Sequence, residues 1–421
     1  MGFSFNASLS GLNANSNALG VVGNNIANAN TVGFRSSSIT FSDVFANSYG
    51  ARLNGAGLSL QIGDGVQTSS IQTNLAQGTL NESASPLHTA IQGNGFFVVK
   101  GTDESLSYTR AGDFVLNNEG YLITPRGDQV QGYAAVNGTI TPGSALTSLR
   151  IPIGQTLPPQ TTSNVSMKIN LNSNAGTGSV FHATSQVYDS RGTTRTLDIS
   201  FTRLADGSFD ATATLDGLAT DLTANGGASG ATPVNFTFDS SGNLLTPTQF
   251  SIEPDQTQLG GATLPSIELN LQEPNPDGTP GPFNIVSYAR PSSNSANNQD
   301  GFPPGELSGS SIDPNGVVLA IFTNGQTRPI GQYALATFNS SEGLARRADN
   351  LFSETLASNQ ATIGAPGSGG RGLVSGGYLE QSNVNITNEF VKLIEAQRGF
   401  KANSKVINNL NETFQALLQV V

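Results

Sequence analysis

The sequence predicts a mainly β protein with terminal α-helices, in which one β-domain is inserted into another. Both ends of the chain repeat apolar residues with a seven-residue period, which is typical of coiled-coil-like helices. Between the ends, short runs alternate apolar and polar residues as strands do, and turns rich in Gly and Asn separate these runs. The helical and β regions therefore predict a nested, multidomain chain.

A long N-terminal helix is predicted over residues 4–30. Its apolar positions form a stripe that contains Phe5, Leu9, Leu12, Leu19 and Ile26. Gly11, Gly20 and Gly23 interrupt the helix, and each interior Gly costs about 1 kcal/mol relative to Ala. A cluster of Asn residues followed by Gly33 marks the end of the helix, because Asn and Gly tolerate the left-handed conformation of a C-cap.

A second helix is predicted from about Asn385 to the end of the chain. Its stripe contains Ile386, Phe390, Leu393, Phe400, Ile407, Phe414 and Leu418. An apolar stripe is stable only when it is buried against other helices. A helix pair inside one globular core is the alternative interpretation, but both stripes lie at chain ends, outside every β-like segment. We therefore expect the stripe residues of both helices to form an assembly interface between copies of the chain.

The order of these segments predicts four regions. They are a terminal helical domain (1–33 and 383–421), a connector (34–65), an inner β-domain (66–155 and 305–382) and an inserted outer β-domain (160–300). The connector is expected to be irregular because it is rich in Ser, Gly and Asn. The segment that begins at Pro152 and the segment Pro291–Pro304 are interpreted as linkers into and out of the insert.

Strands and turns are predicted throughout the two β-domains. Among the predicted strands are Thr196–Arg203, Val234–Phe238 and Val317–Ile321. Three predicted turns share one sequence pattern, in which Asn or Asp is followed three positions later by Gly. They are Asn117–Gly120, Asp239–Gly242 and Asp313–Gly316. Each turn is followed closely by apolar residues, so each is expected to connect two strands.

Composition restricts the class of protein. The 421 residues carry a net charge of -11, and before Asp43 the only charged side chain is Arg35. A binding surface for nucleic acid needs clustered Lys and Arg, so this class is excluded. The chain has no Cys, no basic and apolar signal segment at its start, and no run near the ~20 apolar residues of a membrane span. We expect either a cytosolic protein or one that a dedicated machine exports.

No pattern in the sequence supports catalysis, a cofactor or a metal. His88 and His182 lie in different predicted domains and are expected to be surface or locally hydrogen-bonded imidazoles. The turn at Asp313 lacks the other ligands of a calcium loop, so a plain Asx-turn is expected. The Gly-rich segments 93–95 and 367–372 are interpreted as a turn and a loop, because neither lies between a strand and a helix. We expect a protein that is not an enzyme and needs no cofactor.

Three motifs resemble those of bacterial flagellar rod and hook proteins. The segment 10–35, SGLNANSNALGVVGNNIANANTVGFR, is similar to their N-terminal motif. The run from Asn383 to Asn403, which contains EAQRGFKAN, is similar to their C-terminal motif. GNGFF at 93–97 and YTRAGDF at 108–114 are similar to their shared β-domain. The insert at 160–300 shows no motif that can be matched, and only its position and size resemble the inserted middle domain of the hook members.

The resemblance implies a structural role. Many copies would form a homopolymer, a curved tube that acts as a universal joint between motor and filament, with the terminal helices as its core. It implies export through the flagellar type III apparatus without a cleaved signal peptide, an extracellular location in the flagellum, and as partners the rod, the hook-filament junction proteins and the hook cap. Neither nucleic acid nor membrane insertion is expected. A distal rod or hook-associated junction protein is the alternative, and a secreted carbohydrate-active β-protein is a remote one.

Overall fold

The structure is a computed structural model that describes residues 2–44, 48–49, 60–61, 63–226, 230, 233–275 and 280–420. Two long helices, α1 (Gly2–Ala27) and α2 (Ile386–Val420), lie at the ends of the chain, and strands dominate between them. Short 3-10 helices are formed by Gln256–Leu259 and Ser341–Gly343. The predicted mainly β class with terminal helices is confirmed. Among the described residues, no helix is both long and apolar enough to cross a lipid bilayer.

Local signals set the ends of the two helices. Asn385 caps α2, because its side-chain Oδ1 accepts a hydrogen bond from the backbone N–H of Asn388 at 3.1 Å. After α1 the chain turns through the Asn cluster, and Gly33 adopts a φ of 67° that favours glycine. The predicted ends of both helices are therefore confirmed to within a few residues.

The chain divides into two compact units. The first is made of Met1–Ile153, Gly309–Ile321 and Thr327–Val421, and the second of Gly154–Ser308 and Phe322–Gln326. The strands of the first unit are Ser37–Asp43, Ser48–Tyr49, Leu60–Gln61, Val66–Thr73, Leu80–Glu82, Thr89–Gln92, Phe96–Lys100, Leu106–Thr109, Val115–Leu116, Leu122–Ile123, Gln129–Val136, Thr139–Ile140, Thr147–Ser148, Thr327–Tyr333, Leu335–Thr337, Ala345–Arg346, Leu351–Ser353, Thr362–Gly364, Leu373–Gly376 and Tyr378–Glu380. The strands of the second unit are Thr156–Leu157, Asn164–Asn170, Val180–Tyr188, Thr194–Arg203, Phe209–Leu215, Leu218–Ala224, Val234–Phe238, Leu244–Thr246, Phe250–Glu253, Ile267–Leu269, Gln272–Pro274, Pro280–Phe283, Ile285–Val286 and Ser293–Gln299. The strands Gly305–Ile312 and Val317–Phe322 each contain residues of both units.

An antiparallel sheet forms the centre of the first unit. Its neighbouring strands are, in order, Val317–Phe322, Thr327–Tyr333, Gln129–Val136, Phe96–Lys100, Leu106–Thr109, Leu351–Ser353 and Ala345–Arg346. Successive side chains of a strand point to opposite faces, so Phe96 and Phe97 serve two different layers. Phe96 packs edge-on against Phe352, whereas Phe97 packs against Phe114 and Tyr333. Both faces of this sheet are therefore covered by aromatic packing.

The second unit has its own sheet and its own core. Its neighbouring strands are, in order, Val180–Tyr188, Thr194–Arg203, Phe209–Leu215, Leu218–Ala224, Phe250–Glu253, Ile267–Leu269, Asn164–Asn170 and Ile285–Val286. Apolar residues at alternate positions are fully buried, as at Leu197, Ile199 and Phe201. Phe236 meets Phe201 and Phe250 edge-on at ring-centroid distances of 5.4 and 5.3 Å. A core of this kind stabilises the unit from within.

Two sequence interpretations of irregular chain are wrong. Ser293–Gln299, interpreted as part of a linker, is a strand that pairs antiparallel with Asn164–Asn170. Ser37–Asp43, in the predicted connector, pairs antiparallel with Val66–Thr73. Ser293–Gln299 lacks the apolar alternation that indicates a strand, whereas Ser37–Asp43 alternates only Ile39 and Phe41 with polar residues, in a region otherwise rich in Ser, Gly and Asn. Their backbone N–H and C=O groups pair all the same, because main-chain hydrogen bonding does not depend on the side chain. Residues 45–47, 50–59 and 62 of the connector lie outside the described residues.

The three repeated turns have the geometry that their sequences predict. In each, the first side chain accepts hydrogen bonds from backbone N–H groups further along the turn: Asn117 from Glu119 and Tyr121, Asp239 from Ser241 and Asn243, and Asp313 from Val317. The closing Gly120, Gly242 and Gly316 all have positive φ. Asn117 and Asp239 thus form Asx-turns with the N–H two residues on, whereas the Asp313 carboxylate binds the backbone N–H four residues on, at the far side of a turn that the Gly316 N–H closes on the Asp313 carbonyl.

Candidate functional site: the paired terminal helices

The two terminal helices pack against each other in antiparallel orientation. Gly11 of α1 lies against Asn403 of α2, and Asn15 of α1 lies against Gly399 of α2. Residue numbers therefore increase along α1 in the direction in which they decrease along α2. A Cβ added to Gly11 would lie 2.7 Å from Asn403 Nδ2, and one added to Gly399 would lie 2.5 Å from Asn15 Oδ1. Each glycine therefore leaves room for an asparagine of the opposite helix, and the helices approach closely.

Small residues, and not the predicted stripe, form the most buried line of α1. The buried residues of this line are Ser8, Gly11, Ala14, Ala18, Val22 and Asn25. Their spacing of three or four places them on one side of the helix. On α2 the buried positions among the described side chains are Glu389 and Ala396. Small side chains permit a short distance between helix axes, which explains why this line, rather than the larger apolar residues, forms the contact within the chain.

The stripe residues lie at the edges of this contact. Seven of them are half-buried: Phe5, Leu12, Leu19, Ile26, Leu393, Phe400 and Ile407. Four are exposed: Leu9, Ile386, Phe390 and Phe414. The side chain of Leu418 lies outside the described residues. Three further apolar residues of α2, Val391, Ile394 and Val406, are also exposed. Packing within one chain thus leaves apolar surface uncovered on both helices.

Phe390 and Ile394 are the clearest part of this uncovered surface. They lie four positions apart on α2, and a spacing of four places two side chains on the same face of a helix. Each keeps 48% of its surface exposed. Large apolar side chains that are exposed next to each other often mark a site where another molecule binds.

Asn25 joins both helices to the strand Ser37–Asp43. Its Nδ2 donates to the backbone O of Ser37 at 2.7 Å and to Glu389 Oε2 at 3.0 Å, while its Oδ1 accepts from the backbone N–H of Ser37 at 2.9 Å. Glu389 in turn binds Lys392 Nζ through Oε1 at 2.7 Å. Asn25 and Glu389 are both buried, so each polar group needs the other.

The strands that follow α1 lie along it. Ser10 Oγ accepts a hydrogen bond from the backbone N–H of Val66 at 3.1 Å, and Asn17 Nδ2 donates to Thr68 Oγ1 at 3.3 Å. Asn383, which precedes α2, accepts from the backbone N–H of Ser36 at 2.8 Å. These bonds hold the beginning of α2 and the strands after α1 in one cluster.

A buried group of three charges lies next to this cluster. Glu380 Oε1 binds Arg35 Nη2 and its Oε2 binds Arg110 Nε, both at 2.8 Å. All three side chains are almost completely inaccessible to solvent. Arg35 belongs to the N-terminal motif, Arg110 to the motif of the inner β-domain, and Glu380 immediately precedes the C-terminal motif. Segments that are far apart in the sequence therefore meet at one carboxylate.

Sequence reasoning missed Glu380 and Glu389. A single Glu carries no periodicity, and its role depends on partners that only the fold brings near. One signal was available, because Arg35 is the only charge before Asp43 and an isolated charge in an apolar and neutral region needs a partner.

The two histidines, which the sequence offered as candidate ligands or bases, each lie within hydrogen-bond distance of a nearby side chain. His88 Nδ1 lies 2.6 Å from Ser83 Oγ, and His182 Nδ1 lies 2.9 Å from Asp198 Oδ2. The two imidazoles belong to different units. Among the residues that the structure describes, no three His, Cys, Asp or Glu side chains come together in a way that could hold a metal ion.

Four family models match successive parts of the chain. They are "Flagella basal body rod protein" at 5–35, "Flagellar hook protein FlgE/F/G D1 domain" at 90–175, "Flagellar basal body protein FlaE D2 domain" at 160–302, and "Flagellar basal body rod FlgEFG protein C-terminal" at 375–420. The first and last of these models cover most of α1 and α2. The family models that match the two ends of the chain therefore describe the paired helices.

Similar proteins extend over the whole chain. The flagellar hook protein FlgE of Salmonella typhimurium is 31% identical over 99% of this chain and 100% of its own length. The flagellar hook protein FlgE of Treponema pallidum is 33% identical over 98% of each chain. The crystal structure of Helicobacter pylori flagellar hook protein FlgE2 matches 72% of this chain and 100% of its own, with a TM-score of 0.49 and 14% identity. From the full-length relatives, the chain belongs to the flagellar hook protein family of the rod and hook superfamily.

Proposed function

We propose that this chain is a structural subunit of the bacterial flagellar hook, which polymerises into a flexible curved tube and transmits torque from rod to filament. One observation supports the proposal most strongly. The helices pair within the chain through small residues, and this pairing leaves Phe390, Ile394 and Leu9 of the two helices exposed. A second copy of the chain is the partner whose helices offer the same apolar surface.

The free energy of burial is sufficient for assembly when many copies take part. Covering the exposed half of a Phe or Ile side chain stabilises a contact by about 1 kcal/mol. Each subunit presents several such side chains, so the sum exceeds several kcal/mol for each copy added. A contact between two different surfaces does not close on itself, and repetition with a rotation and a rise generates a tube. All twelve stripe residues are proposed as parts of this interface.

The regions of the chain have separate roles in the proposed tube. The terminal helical domain (1–33 and 383–421) forms the core of the tube, and the inner β-domain (66–155 and 305–382) surrounds it. The insert (160–300) lies outermost and contacts neighbouring subunits. Support for an independent insert comes from the self-contained core of the second unit, in which Met167 and Phe201 are fully buried. The weakly charged, Ser-, Thr- and Asn-rich surface suits contacts that slide, because no strong ion pair fixes one register.

The role is proposed to be structural and not catalytic. His88 and His182 are held by neighbouring side chains, and Asp313 is held by the backbone of its own turn. Export through the flagellar type III apparatus without a cleaved signal peptide is proposed from the resemblance of the motifs. The rod, the junction proteins and the hook cap are proposed as partners on the same ground.

The experiment compares polymerisation of two matched double variants. Phe390→Gln with Ile394→Gln removes exposed apolar surface from α2 and keeps its helix propensity. Leu245→Gln with Leu356→Gln removes exposed apolar surface outside the helices. We expect the first variant to stay monomeric by sedimentation velocity, with unchanged circular dichroism, and the second to form tubes in electron micrographs. Normal tubes from the first variant would contradict the proposed interface.

A further inference from the structure

The buried charges of Arg35, Arg110 and Glu380 do not balance. Two guanidinium groups share one carboxylate, and the described structure gives no hydrogen-bond partner to Arg35 Nε. The remaining bonds of both arginines go to neutral backbone carbonyl groups: Arg35 to Ala76, and Arg110 to Ile91, Gly93 and Gly95. Among the described residues, the Glu380 carboxylate is therefore the only negative charge that the two arginines bind directly.

Without Glu380 the cluster would place two cations side by side away from water. Burial lowers the pKa of the Arg110 guanidinium, the Glu380 carboxylate opposes that shift, and the charge of Arg35 adds to it. A buried ion that loses its partner keeps its desolvation cost without compensation. The two arginines can be buried together only when the carboxylate is in place.

The two arginines and the carboxylate lie far apart along the chain. Both arginines and all of their carbonyl partners lie within residues 35–110, whereas Glu380 follows Arg110 by 270 positions. The carboxylate comes from the short strand Tyr378–Glu380, which pairs with Leu80–Glu82. A chain that is made from its N-terminus supplies the two cations early and the anion near the end.

Hydrogen bonds to the backbone also tie Glu380 to the early part of the chain. The backbone O of Glu380 accepts from the N–H of Gly33 at 2.8 Å, and its Oε1 accepts from the N–H of Gly78 at 2.8 Å. Gly33 packs so closely on the inner β-domain that an added Cβ would lie 2.5 Å from the backbone N of Ala111. The Glu380 segment thus completes a site that the early part of the chain leaves open.

We propose that Glu380 is a folding latch: the segments 33–44 and 63–111 complete their fold only when the strand Tyr378–Glu380 docks and its carboxylate neutralises the two buried arginines. The second unit does not depend on this step, because its core lies within Gly154–Ser308. The chain thereby stays open in its first unit until nearly all of it is present. Premature closure of the inner β-domain, before α2 is available to pair with α1, is prevented.

The first experiment follows refolding of the full chain by pulsed hydrogen exchange and mass spectrometry. We expect peptides of the second unit, such as those that cover Asn164–Asn170, to gain protection first. Peptides that cover Phe96–Arg110 should gain protection together with those that cover Tyr378–Glu380. Protection of Phe96–Arg110 before Tyr378–Glu380 would overturn the proposal, because the early segment would then close without the carboxylate.

The second experiment uses the variant Glu380→Gln, which keeps the size of the side chain and removes its charge. We expect native-state exchange protection of Phe96–Arg110 to fall by about 100-fold or more, while that of Asn164–Asn170 stays unchanged. The matched control is Glu82→Gln, an exposed carboxylate on the strand that pairs with Tyr378–Glu380. Equal protection in Glu380→Gln and in the control would overturn the proposal.

Discussion

Gly399 of α2 lies against Asn15 of α1, so closely that a Cβ on the glycine would lie 2.5 Å from the Asn15 side-chain oxygen. Gly11 and Asn403 repeat this relationship with the helices exchanged. The two glycines set a short distance between the helices and keep their larger apolar residues at the edges of the contact. Those residues are then available to a second copy of the chain.

Because only one of the two glycines touches the opposite helix, replacing Gly399 or Gly20 by Leu should have opposite effects on the stability of the helix pair. Gly399→Leu should separate the helices, because the side chain cannot fit against Asn15. Gly20→Leu should instead stabilise α1 by about 0.5–1 kcal/mol, since no atom lies within 4 Å of an added Cβ and Leu is a good helix former. Hydrogen exchange of α1 peptides measures both effects. Equal exchange in the two variants would show that the helices do not pack through Gly399.

The insert should be removable at a defined point. Gln160 and Phe302 form an isolated antiparallel bridge, with hydrogen bonds of 3.0 Å from each backbone N–H to the other residue's carbonyl. The chain therefore enters and leaves the segment 161–301 side by side, and a short Gly-rich link can join the two residues. We expect the deletion variant to be exported and to form tubes, but straighter or mechanically weaker ones, as judged by electron microscopy and motility.

The matched control for this deletion ends at Ser292 instead of 301, which leaves the strand Ser293–Gln299 without its partner Asn164–Asn170. We expect this control to aggregate, because an unpaired strand edge binds other chains. If the deletion of 161–301 fails to fold its first unit, the insert is not independent.

The second unit should resist moderate acid through Asp189. Burial of this carboxylate favours its neutral form, but backbone N–H groups of Thr193 and Arg191 and the side chain of Arg195 outweigh it, so its pKa lies below the usual value. A lowered folded-state pKa contributes stability that is fully present above about pH 4 and is lost as the pH falls through that pKa.

The test is a series of urea midpoints for the second unit between pH 7 and pH 2. We expect a plateau down to about pH 5 and a steep loss below about pH 4. Asp189→Asn should lower the stability at pH 7 by about 1–2 kcal/mol, because Arg195 loses the charge of Asp189 but keeps Asp216 as a partner, and should flatten the slope below pH 4. An unchanged slope in the variant would show that Asp189 does not carry this acid dependence.

Some elements were predictable from the sequence because one physical signal dominated them. Val234–Phe238 was predicted at its observed bounds, since alternating apolar residues are the direct consequence of one buried face. Ser293–Gln299 was not, because its side chains are polar and its pairing relies on the backbone. The stripes of both helices were visible, but the smaller Gly11 and Gly399 that form the actual contact gave no apolar signal.

A helical reconstruction of the polymer by electron cryomicroscopy tests the proposed interface most directly. We expect a tube in which Phe390, Ile394 and Leu9 are covered by side chains of neighbouring copies, while Gly399 keeps its contact with Asn15 inside each subunit. A tube in which those three apolar side chains stay exposed, and other surfaces join the copies, would contradict the proposed interface.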